Sequence, residues 1–218
     1  MSVRIKICGL NREADIEAVN AAQADFAGFV FFEKSARHLA FSDAANLAAK
    51  LSGTVKSVAL MVDPQDGEIN SLLEVFQPDY LQLHGHETPA RVNAIKAQTG
   101  LPLIKALGIA TADDLKQAAN FAPLVDILLF DAKPPANADV PGGRGETFDW
   151  HILADYQNQA ENTSWMLSGG LSLDNVQDAL ARTGAKMLDV SSGVEQAPGQ
   201  KDADKIIEFC RLARENAA

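Results

Sequence analysis

SWMLSGGLSLDNVQDALARTGAKMLDVSSG, residues 164–193, contains the repeating unit from which the fold can be predicted. An apolar run at 164–168 is followed by two glycines, by a segment with hydrophobic residues at helical spacing, and by a second apolar run at 186–191. Neither run shows the strict alternation of a half-exposed strand, which is typical of strands covered on both faces in a parallel sheet. The stretch therefore predicts a strand, a helix and a second, parallel strand.

The same unit recurs along the whole chain. Eight short runs rich in Val, Ile, Leu or Phe alternate with helical segments, and they are Arg4–Cys8, Phe26–Phe32, Val55–Val62, Tyr80–His84, Pro102–Leu107, Val125–Asp131, Ser164–Ser168 and Lys186–Ser191. Residues suited to begin the helices are Asp63 with Pro64, Ser42, Thr88, Thr111 and Ser172. Eight such units of about 25–30 residues fit a closed (β/α)8 barrel, the TIM barrel. We therefore predict an α/β protein with one domain over residues 1–218.

An open, doubly wound sheet is the competing architecture. It would bring a glycine-rich turn of the form G-x-G-x-x-G after the first strand, whereas this chain has Cys8-Gly9-Leu10 there. The closed barrel is favoured.

Composition limits the classes of function. The net charge of -10 and the scattered placement of the 19 Lys and Arg residues exclude the basic surface that nucleic-acid binding needs. No leader segment precedes the first strand, and no apolar stretch approaches the roughly 20 residues that span a bilayer. Cys8 and Cys210 lie too far apart in sequence to indicate a disulfide framework or a metal cluster. We expect a soluble cytoplasmic protein with no membrane partner and no metal.

Two glycine- and serine-containing loops predict a phosphate site. In a (β/α)8 barrel, the carboxyl ends of the strands and the loops after them converge on one ligand. The seventh and eighth loops begin with Gly169-Gly170 and Ser191-Ser192-Gly193. Such residues ahead of a helix expose backbone amides, which bind phosphate together with the helix dipole. The alternative is that both are simple turns between a strand and a helix.

Cys8 and Asp131, at the ends of the first and sixth strands, are candidate catalytic groups. A thiolate can abstract a proton, and a shielded carboxyl group can donate one. Taken alone, Cys8 could be a small buried hydrophobe and Asp131 a helix cap. Lys6 shares a strand face with Cys8, and Asp189 lies on the eighth strand, next to the first in a closed barrel. We hypothesise that Lys6 and Asp189 pair inside the barrel and place positive charge near the thiol.

Three other features follow strands. Arg37, in the second loop, suits bidentate binding of a carboxylate, unless it is a solvated surface arginine. His84 ends the fourth strand and could equally be a structural histidine. The irregular stretch at 134–146, which includes PGGRG at 141–145, follows the sixth strand and is predicted to lie at the catalytic face.

The motifs, taken in order, resemble those of phosphoribosylanthranilate isomerases. No single motif is decisive, but the set spans nearly the whole chain. It consists of KICGL at 6–10, GFVFF at 28–32 with SARHL at 35–39, LQLHG at 81–85, LLFD at 128–131, GGRG at 142–145 with FDW at 148–150, LSGGL at 167–171, and DVSSGVE at 189–195 with APG at 197–199 and KD at 201–202. Two residues depart from the pattern. Ala36 stands where a proline commonly precedes the arginine, so that Arg37 is expected to be less preorganised, and Arg144 stands where small polar residues are common.

The resemblance implies an intramolecular oxidoreductase of tryptophan biosynthesis, an aldose–ketose isomerase. It would convert N-(5-phosphoribosyl)anthranilate to 1-(2-carboxyphenylamino)-1-deoxyribulose 5-phosphate by an Amadori rearrangement. Asp131 would protonate the ring oxygen of the sugar, Cys8 would remove the C2 proton, and Arg37 would bind the anthranilate carboxylate. The phosphate would be bound by Gly169, Gly170, Ser191, Ser192 and Gly193, with His84 close to the site. No cofactor is implied, and the chain is expected to be a monomer or a homodimer.

Other functions are compatible with such a barrel. The aminoaldose isomerase of histidine biosynthesis performs the same type of rearrangement but uses carboxylates at both catalytic strand ends, whereas the first strand here ends in Cys8. An indole-glycerol-phosphate synthase would need an extra N-terminal segment. A barrel that only binds a phosphate ligand would need neither Cys8 nor Asp131.

Overall fold

Eight parallel strands form a closed barrel. The structure, a computed structural model, describes residues 3–135, 140–143, 145, 147–154, 156 and 164–215. The strands pair in chain order, and the last also pairs with the first. They are β1 (Arg4–Cys8), β2 (Phe26–Phe31), β3 (Lys56–Met61), β4 (Tyr80–Leu83), β5 (Leu103–Ile109), β6 (Ile127–Ala132), β7 (Ser164–Leu167) and β8 (Met187–Val190). The predicted (β/α)8 barrel is confirmed, and the open sheet is excluded.

Helices cover the outside of the barrel. Those in the described part of the chain are α1 (Glu13–Ala21), α2 (Phe41–Ala48), α3 (Asp66–Val75), α4 (Pro89–Thr99), α5 (Ala112–Leu115), α6 (Ala118–Phe121), α7 (His151–Ala154), α8 (Val176–Thr183) and α9 (Ala203–Glu215). None of these helices has both the length and the apolar character needed to cross a membrane. Cys210 is buried in α9, where it packs in the hydrophobic core.

The predicted helix starts are only partly correct. Thr88 is the N-cap of α4, and its hydroxyl accepts a hydrogen bond from the Arg91 N–H at 3.2 Å. Thr111 is the N-cap of α5. The starts predicted at Ser42, Asp63 and Ser172 are wrong, because the N-caps of those helices are Ala40, Gln65 and Asn175.

Strand alternation sorts the barrel interior into layers. Successive residues of a strand face opposite sides, so that every second side chain points inward. A cluster of buried apolar side chains fills the interior toward the amino ends of the strands, with members that include Phe26, Val58, Ile104 and Met187. On β1, Lys6 and then Cys8 follow on the inward face. The interior is thus apolar toward the amino ends of the strands and polar toward their carboxyl ends, where a site can form.

Asp114 connects the loop after β5 to the loop after β6. One of its carboxylate oxygens accepts hydrogen bonds from the N–H groups of Ala110 at 3.0 Å and Thr111 at 2.9 Å, and the other accepts from Lys133 Nζ at 2.6 Å. Burial raises the pKa of this carboxyl group, but these hydrogen bonds outweigh burial and lower the pKa to about 2. Both loops lie at the end of the barrel that carries the predicted site.

We expect Asp114→Asn to lower the free energy of unfolding by about 1–2 kcal/mol at neutral pH, because an amide cannot replace a carboxylate that accepts on both oxygens. The folded-state pKa lies below the unfolded value, so this stabilisation is present above the unfolded pKa and is lost as pH falls through the folded pKa. The difference from wild type should therefore shrink between pH 3.8 and about 2. Urea unfolding at several pH values measures it. Asp113→Asn, at an exposed carboxylate that pairs with Lys116, is the matched control. Equal destabilisation of both variants would contradict the prediction.

Candidate active site

A cavity lies at the carboxyl ends of the strands. Eight of the nine site residues predicted from the sequence line it, namely Cys8, Arg37, His84, Asp131, Gly169, Gly170, Ser191 and Ser192. Gly193, the ninth, is not among the lining residues. It packs against the preceding loop so closely that a Cβ there would lie 1.9 Å from the Leu171 carbonyl oxygen. Gly193 thus lets the seventh and eighth loops approach each other.

Lys6 and Asp189 form the ion pair hypothesised from the sequence. The strand register places them side by side on β1 and β8. Lys6 Nζ lies 2.8 Å from Asp189 Oδ1, and both side chains are buried. Ser168 Oγ donates to the other carboxylate oxygen at 3.3 Å. The interior of the barrel therefore holds a hydrogen-bonded charged pair directly below Cys8.

The pair affects the thiol in opposing ways. Burial raises the pKa of the Cys8 thiol, the nearby Lys6 ammonium lowers it, and the Asp189 carboxylate raises it. The net direction is upward, so the neutral thiol predominates near pH 7. Lys6 supplies the positive charge that we hypothesised, but it only partly offsets burial.

Asp131, at the end of β6, contacts His84. Asp131 Oδ1 accepts the Ala132 N–H at 2.9 Å, and Oδ2 lies 3.3 Å from His84 Nε2. On its other side, His84 Nδ1 lies 3.1 Å from Gln82 Nε2, the side-chain amide nitrogen. In this orientation of the Gln82 amide, the nitrogen donates to Nδ1 and the histidine proton is assigned to Nε2, facing Asp131. Sequence reasoning missed Gln82, although strand alternation places it inward, two residues before His84.

Arg37 is buried rather than a solvated surface arginine. Its Nε donates to Glu195 Oε1 at 2.7 Å and its Nη2 to Glu195 Oε2 at 2.8 Å. The other terminal nitrogen, Nη1, lies beside Gly143, where a Cβ would be 2.6 Å away. The expectation that Ala36 leaves Arg37 less preorganised stays a prediction, although the two hydrogen bonds to Glu195 hold the guanidinium.

Sequence reasoning also missed Glu195 and Lys201 as site residues. They lie in a small hairpin of two antiparallel strands, β9 (Glu195–Ala197) and β10 (Gln200–Lys201). Lys201 Nζ donates to Glu195 Oε1 at 2.7 Å. Burial raises the pKa of Glu195, but Arg37 and Lys201 outweigh burial and hold it below its usual range. Glu195 belongs to the motif DVSSGVE at 189–195 and Lys201 to the motif KD at 201–202. Their place in these motifs could have identified them as site residues.

Gly169, Gly170 and Ser192, in the seventh and eighth loops, also line the cavity. Gly169 adopts a positive φ of 87°, and a Cβ there would lie 2.7 Å from the Ala132 nitrogen. A one-turn 3-10 helix, Ser192–Val194, follows β8. Within the described residues, the amides of Gly170 and Ser192 donate to no protein acceptor. The helix that was expected to follow Gly169-Gly170 directly, and to add its dipole there, begins only at Val176.

The glycine loop after β6 lies over the cavity, as predicted. Val140, Pro141, Gly142, Gly143 and Gly145 all line it. A Cβ on Gly142 would lie 2.7 Å from Asp131 Oδ2 and 2.9 Å from His84 Nε2. Arg144 lies outside the described residues. A side chain at position 142 would therefore have to displace the Asp131 carboxylate and the His84 ring.

The arrangement suits acid–base chemistry on an anionic ligand. A thiol and a carboxyl group end β1 and β6, which lie on different sides of the barrel mouth. Gly170 and Ser192, whose amides have no protein acceptor among the described residues, line the cavity together with Arg37. In the part of the chain that the structure describes, no three His, Cys, Asp or Glu side chains are grouped so as to hold a metal ion.

Comparison with known proteins gives a consistent result. The family model described as "N-(5'phosphoribosyl)anthranilate (PRA) isomerase" matches residues 5–211. The chain is 47% identical over 216 residues to the N-(5'-phosphoribosyl)anthranilate isomerase of Parvibaculum lavamentivorans, covering 98% of this chain and 99% of the relative. The crystal structure of phosphoribosyl anthranilate isomerase from Thermotoga maritima is similar with a TM-score of 0.87 and 34% identity, covering 98% of this chain and 99% of that one. A solved complex of such an enzyme with reduced 1-(o-carboxyphenylamino)-1-deoxyribulose 5-phosphate is similar with a TM-score of 0.83 and 31% identity, at the same coverage.

We expect Lys6→Met to move the titration of Cys8 to higher pH. The substitution removes the ammonium that lowers the thiol pKa and leaves the Asp189 carboxylate without its partner. Thiolate absorbance against pH measures the change, with Cys8→Ser as the blank. Burial raises the pKa of Cys210 to about 12, so the second cysteine stays protonated over most of the range.

Lys105→Met is the matched control for this titration. Lys105 is a second buried lysine, and it pairs with Glu87 at 2.6 Å rather than with the Cys8 neighbourhood. Its loss should leave the pH at which Cys8 titrates unchanged. If Lys6→Met also leaves this pH unchanged, Lys6 does not act on the thiol.

Proposed function

The chain belongs to the family of N-(5'-phosphoribosyl)anthranilate isomerases, and from that premise we propose that Cys8 is the general base and Asp131 the general acid of its reaction. The enzyme is an aldose–ketose isomerase of tryptophan biosynthesis. The observation that carries the assignment is the convergence of a thiol, a carboxyl group, an arginine and free amides on one cavity.

The substrate's two anionic ends match two parts of the cavity. The phosphate would accept hydrogen bonds from the amides of Gly170 and Ser192, next to the short helix that starts at Ser192, a common phosphate site in these barrels. The anthranilate carboxylate would contact Arg37, whose Nη1 is directed away from Glu195. Binding at both ends would hold the furanose between Cys8 and Asp131.

Ring opening is the acid-catalysed step. Asp131 donates its proton to the furanose oxygen while the bond from that oxygen to C1 breaks, so the oxygen becomes a hydroxyl and the nitrogen a protonated imine. The resulting Asp131 carboxylate keeps the Ala132 N–H on one oxygen and faces the Nε2 proton of His84 with the other. Hydrogen bonds to a charged form stabilise it, so His84 supports the loss of the proton.

Proton removal from C2 is the base-catalysed step. The Cys8 thiolate takes this proton, and the electron pair of the C–H bond forms the C1–C2 double bond of an enolamine, which tautomerises to the aminoketose. Burial raises the pKa of Cys8, which makes the thiolate scarce at neutral pH but more basic once formed. Lys6 stabilises that thiolate from below.

Residues 1–218 act as one catalytic domain in this proposal. The family match runs from residue 5 to residue 211, and β1 is bound to β8. The ligand is a phosphorylated anion like the one named in the complex of the solved relative.

We expect Cys8→Ala and Asp131→Asn each to lower kcat by about 10²–10⁴-fold, because each removes one proton-transfer group. The substrate is generated in situ from anthranilate, and loss of its fluorescence is followed. Circular dichroism checks that the variants are folded. Cys210→Ala and Asp113→Asn remove the same groups away from the cavity and should retain activity.

Inactive wild-type protein would contradict the substrate assignment and would favour a barrel that only binds a phosphate ligand or one that acts on another aminoaldose. Folded, fully active Cys8→Ala or Asp131→Asn would contradict the assigned roles alone.

A further inference from the structure

We infer that Glu195 and Lys201 are positioning residues that set the orientation and the net charge of Arg37, and thereby select substrates with an aromatic carboxylate. The inference rests on the proposal above that Arg37 binds that carboxylate. Neither residue is a catalytic residue, since each acts through Arg37.

Glu195 determines which edge of the guanidinium is free. It binds the edge formed by Nε and Nη2, with distances of 2.7 and 2.8 Å. A carboxylate can bind an arginine on that edge or on the edge formed by the two terminal nitrogens. Nη2 also donates to the Gly143 carbonyl oxygen at 3.2 Å, so Glu195 and Gly143 together occupy Nε and Nη2 and leave Nη1 for the ligand.

Lys201 compensates the charge of Glu195. Without it, a ligand carboxylate would meet a neutral Arg37–Glu195 pair. The buried Lys201 ammonium lies 2.7 Å from Glu195 Oε1, so two cations and one anion leave the cluster with a net positive charge. In a buried setting the sign of this charge matters more than it would in water.

Lys201 has no donor left for the ligand. Besides Glu195, its ammonium donates to the Ser191 carbonyl oxygen at 2.9 Å and to Ser191 Oγ at 3.2 Å. An ammonium has three N–H groups, and three acceptors surround this one. Its effect on the substrate is therefore electrostatic.

The hairpin that carries both residues is fixed at its base. Asn11 Nδ2 donates to the Gly199 carbonyl oxygen at 2.9 Å, and the Arg12 guanidinium donates to the Lys201 carbonyl oxygen. Gly199 packs against the Arg37 loop, where a Cβ would lie 2.5 Å from the Ala36 carbonyl oxygen. Such a fixed frame is what a positioning role requires.

The test measures carboxylate preference, the ratio of kcat/KM for the anthranilate substrate to kcat/KM for its aniline counterpart, made from aniline and ribose 5-phosphate. Lys201→Met should lower this ratio by about tenfold, mainly through KM of the carboxylate substrate. Glu195→Gln/Lys201→Met restores the net positive charge and should recover part of the lost preference. Asp79→Asn, on the opposite end of the barrel, is the control and should keep the wild-type ratio.

Equal loss of kcat/KM for both substrates in Lys201→Met, with no recovery in the double variant, is the result of a merely structural role and overturns the inference. A ratio unchanged in Arg37→Ala overturns the proposed carboxylate contact and the inference with it. A ratio that falls in Arg37→Ala but not in Lys201→Met overturns the inference alone.

Discussion

The hydrogen bonds between β1 and β8 close the barrel, and every part of the site depends on this closure. They place the Lys6 ammonium beside the Asp189 carboxylate and bring the eighth loop next to the end of the first strand, where Ser191 Oγ donates to the Cys8 carbonyl oxygen at 2.9 Å. The thiol, the loop proposed to bind phosphate and the Arg37 cluster then share one rim, although 183 positions separate Cys8 from Ser191. An open sheet would leave these groups at opposite edges.

Closure also explains why so many charges are buried near the rim. A buried charge is tolerated only when a partner and hydrogen bonds replace its hydration. Here the charges occur in small sets, with Lys6 on Asp189 and with Arg37 and Lys201 on Glu195. Removal of Asp189 leaves Lys6 without its ionic partner, and removal of Glu195 leaves Arg37 and Lys201 as two buried cations. These sets fix the side-chain positions that an acid–base reaction requires. Substitution of the charged residues is therefore poorly tolerated.

The sequence predicts this fold well because the decisive signals are local. Each strand is covered on both faces and is therefore apolar throughout, and Thr88-Pro89 begins a helix by its own chemistry. Asp63 shows the limit, since its dipeptide with Pro64 resembles a helix start. Its backbone instead adopts a φ of 48°, and its carboxylate accepts the His86 N–H at 2.6 Å, a contact made by a loop 23 positions away. For the same reason, Glu195 could not be assigned from spacing alone as the partner of Arg37, because that contact depends on the distance between separate loops. Gln82, by contrast, lies two residues before His84, and strand alternation could have identified it.

A chain with a net charge of -10 that binds a substrate with two anionic groups must create its attraction locally. At the phosphate end this attraction is assigned to amides, which add no charge and need no counter-ion. At the carboxylate end this attraction is assigned to the Arg37 cluster, in which one anion between two cations leaves a net positive charge. A second acidic residue there would cancel the net positive charge of the cluster. A lone arginine would have the charge, but its guanidinium would have no fixed orientation. Glu195 and Lys201 together satisfy both requirements, which neither could meet alone.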